Sequence, residues 1–225
     1  MNKVVKAKIS EVFRSIQGEG IYAGAEQVFV RFFGCNLNCV FCDTRPDSFK
    51  EMEIDELINE INVYNDCRFI SITGGEPLLQ KSALRELLPK LKNEDKVIYL
   101  ETNGVLYGSL KEVIKYVDII AMDFKLPSST QDKDYSALHK SFLQIAADKD
   151  VFVKTVITLS TAVSDFIKAV RIVDNISPYI PFVLQPVHPQ EAELADKLEK
   201  FSIKAKDYLY DVRIIPQIHK VLGVR

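Results

Sequence analysis

The sequence predicts an α/β fold with a mostly parallel sheet, in a single domain that spans residues 1–225. Apolar segments of strand length alternate with segments of helical periodicity along most of the chain, a pattern typical of right-handed βαβ units. The length suits one α/β domain, and no repeat, low-complexity segment or linker divides it. The periodicity leaves open whether the sheet is open or curled into a barrel.

The predicted strands are short and almost continuously apolar, as expected for strands covered on both faces of a parallel sheet. They comprise residues 26–33, 68–72, 96–100, 118–123, 151–157, 181–185 and 210–215. Between them, apolar residues recur at helical spacing. This spacing predicts helices at 53–65, 82–92, 109–116, 135–147, 162–174 and 189–207, whereas residues 127–134 are polar.

Composition and charge exclude several classes of protein. Hydrophobic residues make up 47% and charged residues 27% of the chain, which is ordinary for a globular protein. A net charge of −2 gives no electrostatic support for binding to nucleic acid or to a membrane surface. The first residues lack the continuous apolar segment of a secretory signal, and no apolar run reaches the roughly 18 residues that span a bilayer. We therefore expect a cytoplasmic protein.

Three of the four cysteines, Cys35, Cys39 and Cys42, lie within eight residues directly after a predicted strand. In a cytosolic protein such clustering indicates metal or redox chemistry rather than disulfides. Three thiolates suit an iron–sulfur cluster with one open iron, or a zinc ion closed by a fourth ligand. The candidates for that fourth ligand are Cys67, His188 and His219. Cys67, between a helix and a strand, is expected to be a buried structural thiol.

Four polar segments follow predicted strands at their carboxyl ends, where parallel α/β folds bind ligands. They are TGGEP at 73–77, ETNG at 101–104, DFK at 123–125 and QPVH at 185–188. The glycines of TGGEP permit close approach of the backbone, and carbonyls with a carboxylate can bind an ammonium group. Taken alone, the same string also fits a strand-to-helix turn with Pro77 at the first helical position.

The CxxxCxxC motif at 35–42, followed by TGGEP, resembles the radical S-adenosylmethionine superfamily. The resemblance implies a partial or full (β/α) barrel, a [4Fe-4S] cluster on the three cysteines, and S-adenosylmethionine on the open iron, cleaved to a 5′-deoxyadenosyl radical. It implies cofactor contacts from Phe41, Cys42, Asp43, Gly75, Glu76, Asp123, Phe124, Lys125, Gln185, Pro186, Val187 and His188. Relatives commonly carry Ser-Pro-Lys at 123–125, so in that segment only Lys125 matches.

The segment FRSIQGEG at 13–20, together with Arg31 and the Cys-Asp-Thr string at 42–44, resembles the 7-carboxy-7-deazaguanine synthase family from about residue 8 onward. This family contracts the ring of 6-carboxy-5,6,7,8-tetrahydropterin with loss of ammonia, on the route to deazapurines such as queuosine. The implied substrate contacts are Ile16, Gln17, Gly18, Glu19, Arg31, Thr73, His219 and the terminal carboxylate of Arg225. Arg31 would pair with the substrate carboxylate, which a planar guanidinium matches.

The same resemblance implies that Thr44 ligates Mg²⁺, that the C-terminal tail folds back over the site, and that the cofactor rather than a side chain supplies the radical. From the residues alone, Asp43 and Thr44 also fit helix N-caps. The family further implies a homodimer and a flavodoxin- or ferredoxin-type electron donor. Two other functions stay open at this point, namely a glycyl-radical-enzyme activating enzyme and a zinc-stapled binding module.

Overall fold

A computed structural model describes residues 4–223, in which nine strands form one sheet. The strands are β1 (Lys6–Ile16), β2 (Glu26–Phe32), β3 (Lys50–Glu53), β4 (Phe69–Gly74), β5 (Val97–Thr102), β6 (Ile119–Asp123), β7 (Asp150–Ile157), β8 (Phe182–Pro186) and β9 (Val212–Ile214). The helices are α1 (Ile54–Ile61), α2 (Lys81–Asn93), α3 (Tyr107–Val113), α4 (Pro127–Thr130), α5 (Ser136–Ala146), α6 (Val163–Asp174), α7 (Glu191–Lys206) and α8 (Ile218–Leu222). None of these helices has the length and apolar character to cross a bilayer.

The strand order β3-β1-β2-β4-β5-β6-β7-β8-β9 confirms the predicted α/β fold with a mostly parallel sheet. Every pair from β2 to β9 is parallel, whereas β1 pairs antiparallel with both β2 and β3. Within the described residues, β3 and β9 are the two edges, so the sheet is not closed. It curls far enough for β2 and β8 to line one cavity, which makes it a partial (β/α) barrel.

The two faces of the sheet carry different residues. The main hydrophobic core lies between the sheet and the helices, and α1 contributes Ile54, Leu57, Ile58 and Ile61, an apolar stripe at helical spacing. On the opposite, concave face a smaller apolar cluster contains Tyr99, Ile119, Ala121, Phe152 and Val183. Strand residues two apart share a face, so polar residues further along the same strands complete the concave side above this cluster.

The predicted strands and helices are all present, with ends shifted by two residues or fewer when the 3₁₀ turns after α1 and α3 are included. Strands β1 and β3 were not predicted. Their sequences, KAKISEVFRSI and KEME, are interrupted by charged residues and lack the apolar run that identifies a strand of the parallel sheet. Pairing with β2 gives β1 its strand conformation.

A β-bulge in β1 turns a charged side chain toward the concave face. Ala7 and Ile9 face the helical core, and the register with β2 shifts between Ile9 and Glu11. The extra residue reverses the alternation, so that Val12 takes the core side while Glu11 and Phe13 turn to the other. This reversal places Glu11 opposite Arg31 of β2.

Candidate active site at the carboxyl edge of the sheet

Six strands contribute one polar side chain each to a layer at the top of the concave face. The members are Arg31 (β2), Thr73 (β4), Glu101 (β5), Asp123 (β6), Lys154 (β7) and Gln185 (β8), and all line a cavity of about 420 Å³. The layer follows from strand alternation, because each residue lies two positions beyond a concave-face residue such as Tyr99 or Phe152. Residues of the four polar segments that follow the strands therefore lie around one cavity at the carboxyl edge of the sheet.

Most of the predicted site residues line this cavity. They are Ile16, Gly18, Glu19, Arg31, Cys35, Cys39, Phe41, Cys42, Asp43, Thr44, Thr73, Gly75, Asp123, Lys125, Gln185, Val187 and His219. Gln17 and Glu76 lie behind the wall and hydrogen-bond to residues at the site. Arg225, whose terminal carboxylate was a predicted substrate contact, lies outside the described residues.

Three predicted cofactor contacts have side chains away from the cavity. Phe124 is 2% exposed and packs its ring 4.2 Å from that of His139. His188 lies on the exposed surface, where its Nδ1 is 2.8 Å from the Glu191 carboxylate. Pro186 is buried in β8. Any cofactor contact at these three positions would have to come from the main chain.

The cysteine loop presents three thiols to the cavity from the segment after β2. Cys39 is buried, whereas Cys35 and Cys42 are exposed. Burial raises the pKa of Cys39 to about 11, and metal binding would supply the driving force to deprotonate it. No three His, Cys, Asp or Glu side chains among residues 4–223 converge on one metal position. A cubane cluster binds each thiolate through a different iron, and three soft thiols on one short loop that lines the cavity are ligands of the type it requires.

Donor groups and a close backbone approach surround Cys35. The Leu37 amide donates to its sulfur at 3.4 Å, and Asn103 Nδ2 lies 3.9 Å from it. Gly75 packs so tightly on this loop that an added Cβ would lie 2.2 Å from the Gly34 carbonyl oxygen and 3.1 Å from Cys35 Cβ. The glycine in TGGEP therefore lets the turn lie directly against the cysteine loop.

Glu76 anchors the same turn from behind the cavity wall. It is fully buried and accepts hydrogen bonds from the Leu78 and Asn103 amides, at 3.0 and 2.7 Å, and from the Thr102 hydroxyl. Burial outweighs these bonds and raises the pKa of Glu76 to about 7. Its side chain ties the turn after β4 to the ETNG segment after β5.

The Glu101 carboxylate accepts hydrogen bonds from three side chains on neighbouring elements. Gln17 Nε2 donates to Oε1 at 2.7 Å, the Thr73 hydroxyl donates to Oε2 at 2.7 Å, and the Ser71 hydroxyl lies 3.3 Å away. Two of these donors, Gln17 and Thr73, are predicted substrate contacts. Glu101 therefore orients residues from the 16–19 loop and from β4 toward one part of the cavity.

A second set of charges joins the 16–19 loop to the carboxyl end of β6. Lys154 forms ion pairs with Glu19 and with Asp123 Oδ2, the latter at 3.3 Å, and Lys125 approaches the same Asp123 oxygen at 2.7 Å. Lys125 also lies over the ring of Phe41, 5.4 Å from its centroid. Burial alone would raise the pKa of Asp123, but the charges of Lys125 and Lys154 lower it overall.

Arg31 and Thr44 already have local partners that hold their side chains in the wall. Arg31 Nε donates to Glu11 at 2.6 Å, and its guanidinium lies 5.6 Å from the ring centroid of Phe13. The Thr44 hydroxyl donates to Asp43 Oδ1 at 3.1 Å. Thr44 thus presents a hard oxygen at the cavity beside a carboxylate, a donor set that fits Mg²⁺.

The C-terminal segment lies against the 16–19 loop. The Ile218 amide donates to the Gly18 carbonyl at 2.8 Å, and Gln217 Nε2 donates to Glu19 Oε1 at 2.6 Å. Lys220 forms an ion pair with Asp43 at 2.9 Å. These contacts place His219 in the cavity wall, opposite the strands of the sheet.

Glu101 and Lys154 were not predicted as site residues, although Glu101 belongs to the polar ETNG segment. A signal was present for both. Each is a charged residue inside an otherwise apolar strand, VIYLET and VFVKTVI, and a charge there needs a partner or a function.

Cys67, a candidate fourth zinc ligand, lies near the amino ends of the strands, at the side of the sheet opposite the cysteine loop. Its thiol faces the carbonyls of Glu26 and Phe69.

Comparison with known proteins gives consistent results. The Radical SAM superfamily matches residues 29–146, just over half of the chain. The 7-carboxy-7-deazaguanine synthase of Geobacter sulfurreducens is 37% identical, and the alignment covers 96% of this chain and 97% of that one. The enzyme of the same name from Methanothermobacter thermautotrophicus is 34% identical, with 99% of both chains covered.

Among solved structures, QueE from Escherichia coli superposes with a TM-score of 0.67 over 95% of both chains, at 18% sequence identity. At that identity the match supports the fold alone. It agrees with the partial barrel described above.

Proposed function

The chain belongs to the 7-carboxy-7-deazaguanine synthase family, within the radical S-adenosylmethionine superfamily, and on this premise we propose which of its groups bind cluster, cofactor and substrate. It is a radical S-adenosylmethionine lyase that contracts 6-carboxy-5,6,7,8-tetrahydropterin to 7-carboxy-7-deazaguanine with loss of ammonia, in queuosine-type biosynthesis. One observation carries the assignment of the site. The cysteine loop, the 73–77 turn and the 16–19 loop, distant in sequence, all contribute to a single cavity.

Cys35, Cys39 and Cys42 would hold the [4Fe-4S] cluster, and residues of the cysteine loop and of the carboxyl ends of β4, β6 and β8 would bind S-adenosylmethionine. When bound, the cluster and cofactor supply the radical that removes a hydrogen atom from the substrate. The cofactor-side groups are Phe41, Gly75, Asp123, Lys125, Gln185 and Val187. Asp123 lines the cavity, and its Oδ1 is buried without a hydrogen-bond partner in the described residues.

The substrate lies between the 16–19 loop, β2 and the tail. Arg31 pairs with its carboxylate, since the guanidinium has donors left after its Nε bonds to Glu11. Glu19 and Thr73 contact the ring, Gln17 supports them from behind the wall through its bond to Glu101, and Thr44 would ligate a Mg²⁺ ion that also binds the substrate. His219 completes the assignment from the C-terminal segment.

The cavity is capped by the tail residues Gln217 and His219, which suits a small molecule better than the protein loop that a glycyl-radical activating enzyme must admit. We further propose a cytoplasmic homodimer that receives electrons from a flavodoxin- or ferredoxin-type protein. The four free cysteines suit a reducing compartment. Sedimentation of the reconstituted protein would test the dimer.

Anaerobic reconstitution with iron and sulfide, followed by dithionite, S-adenosylmethionine and the tetrahydropterin, tests the function. We expect broad iron–sulfur absorbance, 5′-deoxyadenosine and the deazapurine. Cys42→Ala should lose the absorbance and both products, whereas the matched control Cys67→Ala, at the opposite edge of the sheet, should keep all three. A colourless protein would refute the cluster, and 5′-deoxyadenosine without deazapurine would refute the substrate.

A further inference from the structure

Among the six residues of the polar layer, Lys154 is the one that contacts both Glu19, in the proposed substrate-binding loop 16–19, and Asp123, one of the proposed cofactor-binding groups. It lies in the middle of β7, its side chain is 13% exposed, and its ammonium group forms ion pairs with Glu19 and Asp123. A charged group with so little access to water is costly unless it is paired. Its two partners lie on different elements, the loop after β1 and the end of β6.

Glu19 depends on Lys154 for its ion pair, whereas Asp123 has a second lysine partner. Glu19 Oε2 accepts from Lys154 and Oε1 accepts from Gln217 at 2.6 Å, so Lys154 is its ion-pair partner among the described residues. Asp123 also has Lys125 at 2.7 Å. Loss of the Lys154 charge would therefore leave Glu19 with a neutral partner, while Asp123 would keep a cation.

We propose that Lys154 is a positioning residue for the substrate, which holds Glu19 in place as an ionised acceptor facing the donor edge of the tetrahydropterin. The inference rests on the proposed function, because it takes the substrate from there. The N3–H and 2-amino groups of a pterin form a pair of adjacent donors, and an ionised carboxylate accepts two such bonds side by side. A protonated carboxyl would offer a donor where an acceptor is needed.

The electrostatics at Glu19 support this role. Burial would raise the pKa of Glu19, but the charge of Lys154 and the hydrogen bonds from Lys154 and Gln217 lower it. The charge of Asp123 acts in the opposite direction, and Glu19 in turn raises the pKa of the Tyr99 hydroxyl. Lys154 itself stays charged, since attraction to Glu19, Asp123 and Glu101 outweighs its burial and raises its pKa.

A double-mutant cycle separates positioning of Glu19 from general stabilisation of the barrel. The dissociation constant of the tetrahydropterin is measured by anaerobic equilibrium dialysis against reconstituted wild type, Lys154→Met, Glu19→Gln and the double variant. Lys168→Met is the matched control, because it removes a lysine from an ion pair with Asp134 on the exposed surface. Michaelis constants for pterin and for S-adenosylmethionine are measured in parallel.

We expect Lys154→Met to weaken pterin binding about tenfold or more, and to raise the Michaelis constant for pterin more than that for S-adenosylmethionine. In the Glu19→Gln background the same substitution should change the dissociation constant by less than about threefold, because the charge that Lys154 holds is already gone. Lys168→Met should bind pterin as the wild type does.

Wild-type pterin binding by the Lys154→Met protein, or additive effects in the double variant, would overturn the proposal. If Lys154→Met does not fold, the dissociation constants of Glu19→Gln and the double variant still test the proposal. A further tenfold loss of pterin affinity in the double variant would contradict a role of Lys154 through Glu19. Failure of the wild type itself to bind pterin would instead refute the proposed function, so the two failures are distinguishable.

Discussion

Gly18 lies directly against His219, and a Cβ added to Gly18 would sit 2.0 Å from the His219 ring nitrogen Nδ1 and 2.7 Å from its Cβ. Because the contact includes Cβ, the first atom of the His219 side chain, rotating the ring alone cannot relieve it. The absence of a side chain at position 18 therefore allows the tail to rest on the 16–19 loop. The SIQGEG segment thus has a steric role as well as a polar one.

Gly18→Ala should displace the tail and raise the Michaelis constant for pterin about tenfold or more, because His219 and Gln217 move with it. Tryptic cleavage near Lys220 should become faster in the same variant. Gly108→Ala is the matched control, since a Cβ there meets no atom within 4 Å. Unchanged kinetics and proteolysis in Gly18→Ala would contradict the tail contact.

Gly75→Ala should impair cluster assembly rather than substrate binding. Its Cβ would lie 2.2 Å from the Gly34 carbonyl oxygen, so the backbone of the cysteine loop would have to move. We expect the iron content after reconstitution to fall about fivefold or more, while Gly108→Ala reconstitutes as the wild type does. Full iron loading of the Gly75→Ala protein would refute this explanation.

Glu101→Gln should weaken substrate binding although Glu101 is not a predicted substrate contact. The amide replaces one acceptor oxygen by a donor, so that either Gln17 or Thr73 loses its partner, at a cost of about 1–3 kcal/mol. We expect the Michaelis constant for pterin to rise about tenfold. Glu86→Gln, on the exposed surface of α2, is the control, and equal constants in the two variants would contradict the role.

Thr44→Val tests the magnesium assignment by removing the hydroxyl at nearly constant volume. We expect turnover to lose its stimulation by Mg²⁺, because the hard oxygen ligand is gone, while the iron–sulfur absorbance stays unchanged. Titration of Mg²⁺ at saturating substrate measures the effect. Equal stimulation of the variant and the wild type would exclude Thr44 as a ligand.

His139 should make the cluster-free protein sensitive to acid. Burial lowers its pKa from 6.5 to about 4 in the folded state, so the unfolded state binds this proton more readily. The contribution of the neutral His139 to the free energy of unfolding is therefore fully present above pH 6.5. It is lost as the pH falls toward 4, by about 3 kcal/mol in all. Urea unfolding at pH 7 and pH 4.5 should show a larger loss for the wild type than for His139→Gln. An equal loss in both would contradict the argument.

The amino-acid sequence alone was enough to predict the strands β2 and β4–β9, the helices between them, and the positions of the cysteine, TGGEP and SIQGEG segments. These features are encoded locally. Apolar periodicity specifies an element within a dozen residues, and each motif is a short loop at the end of one strand. Parallel strands bring such loops to one edge, so the cavity wall at Cys35, Gly75 and Asp123 was predictable without coordinates.

Only the tertiary structure decided the partners across that cavity. Lys154 meets Glu19 across 135 residues and Glu101 meets Gln17 across 84, contacts that depend on strand register and on the curl of the sheet. The bulge in β1 turns Glu11 toward Arg31, and pairing with β2 makes a strand of a segment too polar to be predicted as one. Long-range pairing sets these relationships, because a local pattern specifies which face a residue occupies but not what lies opposite it.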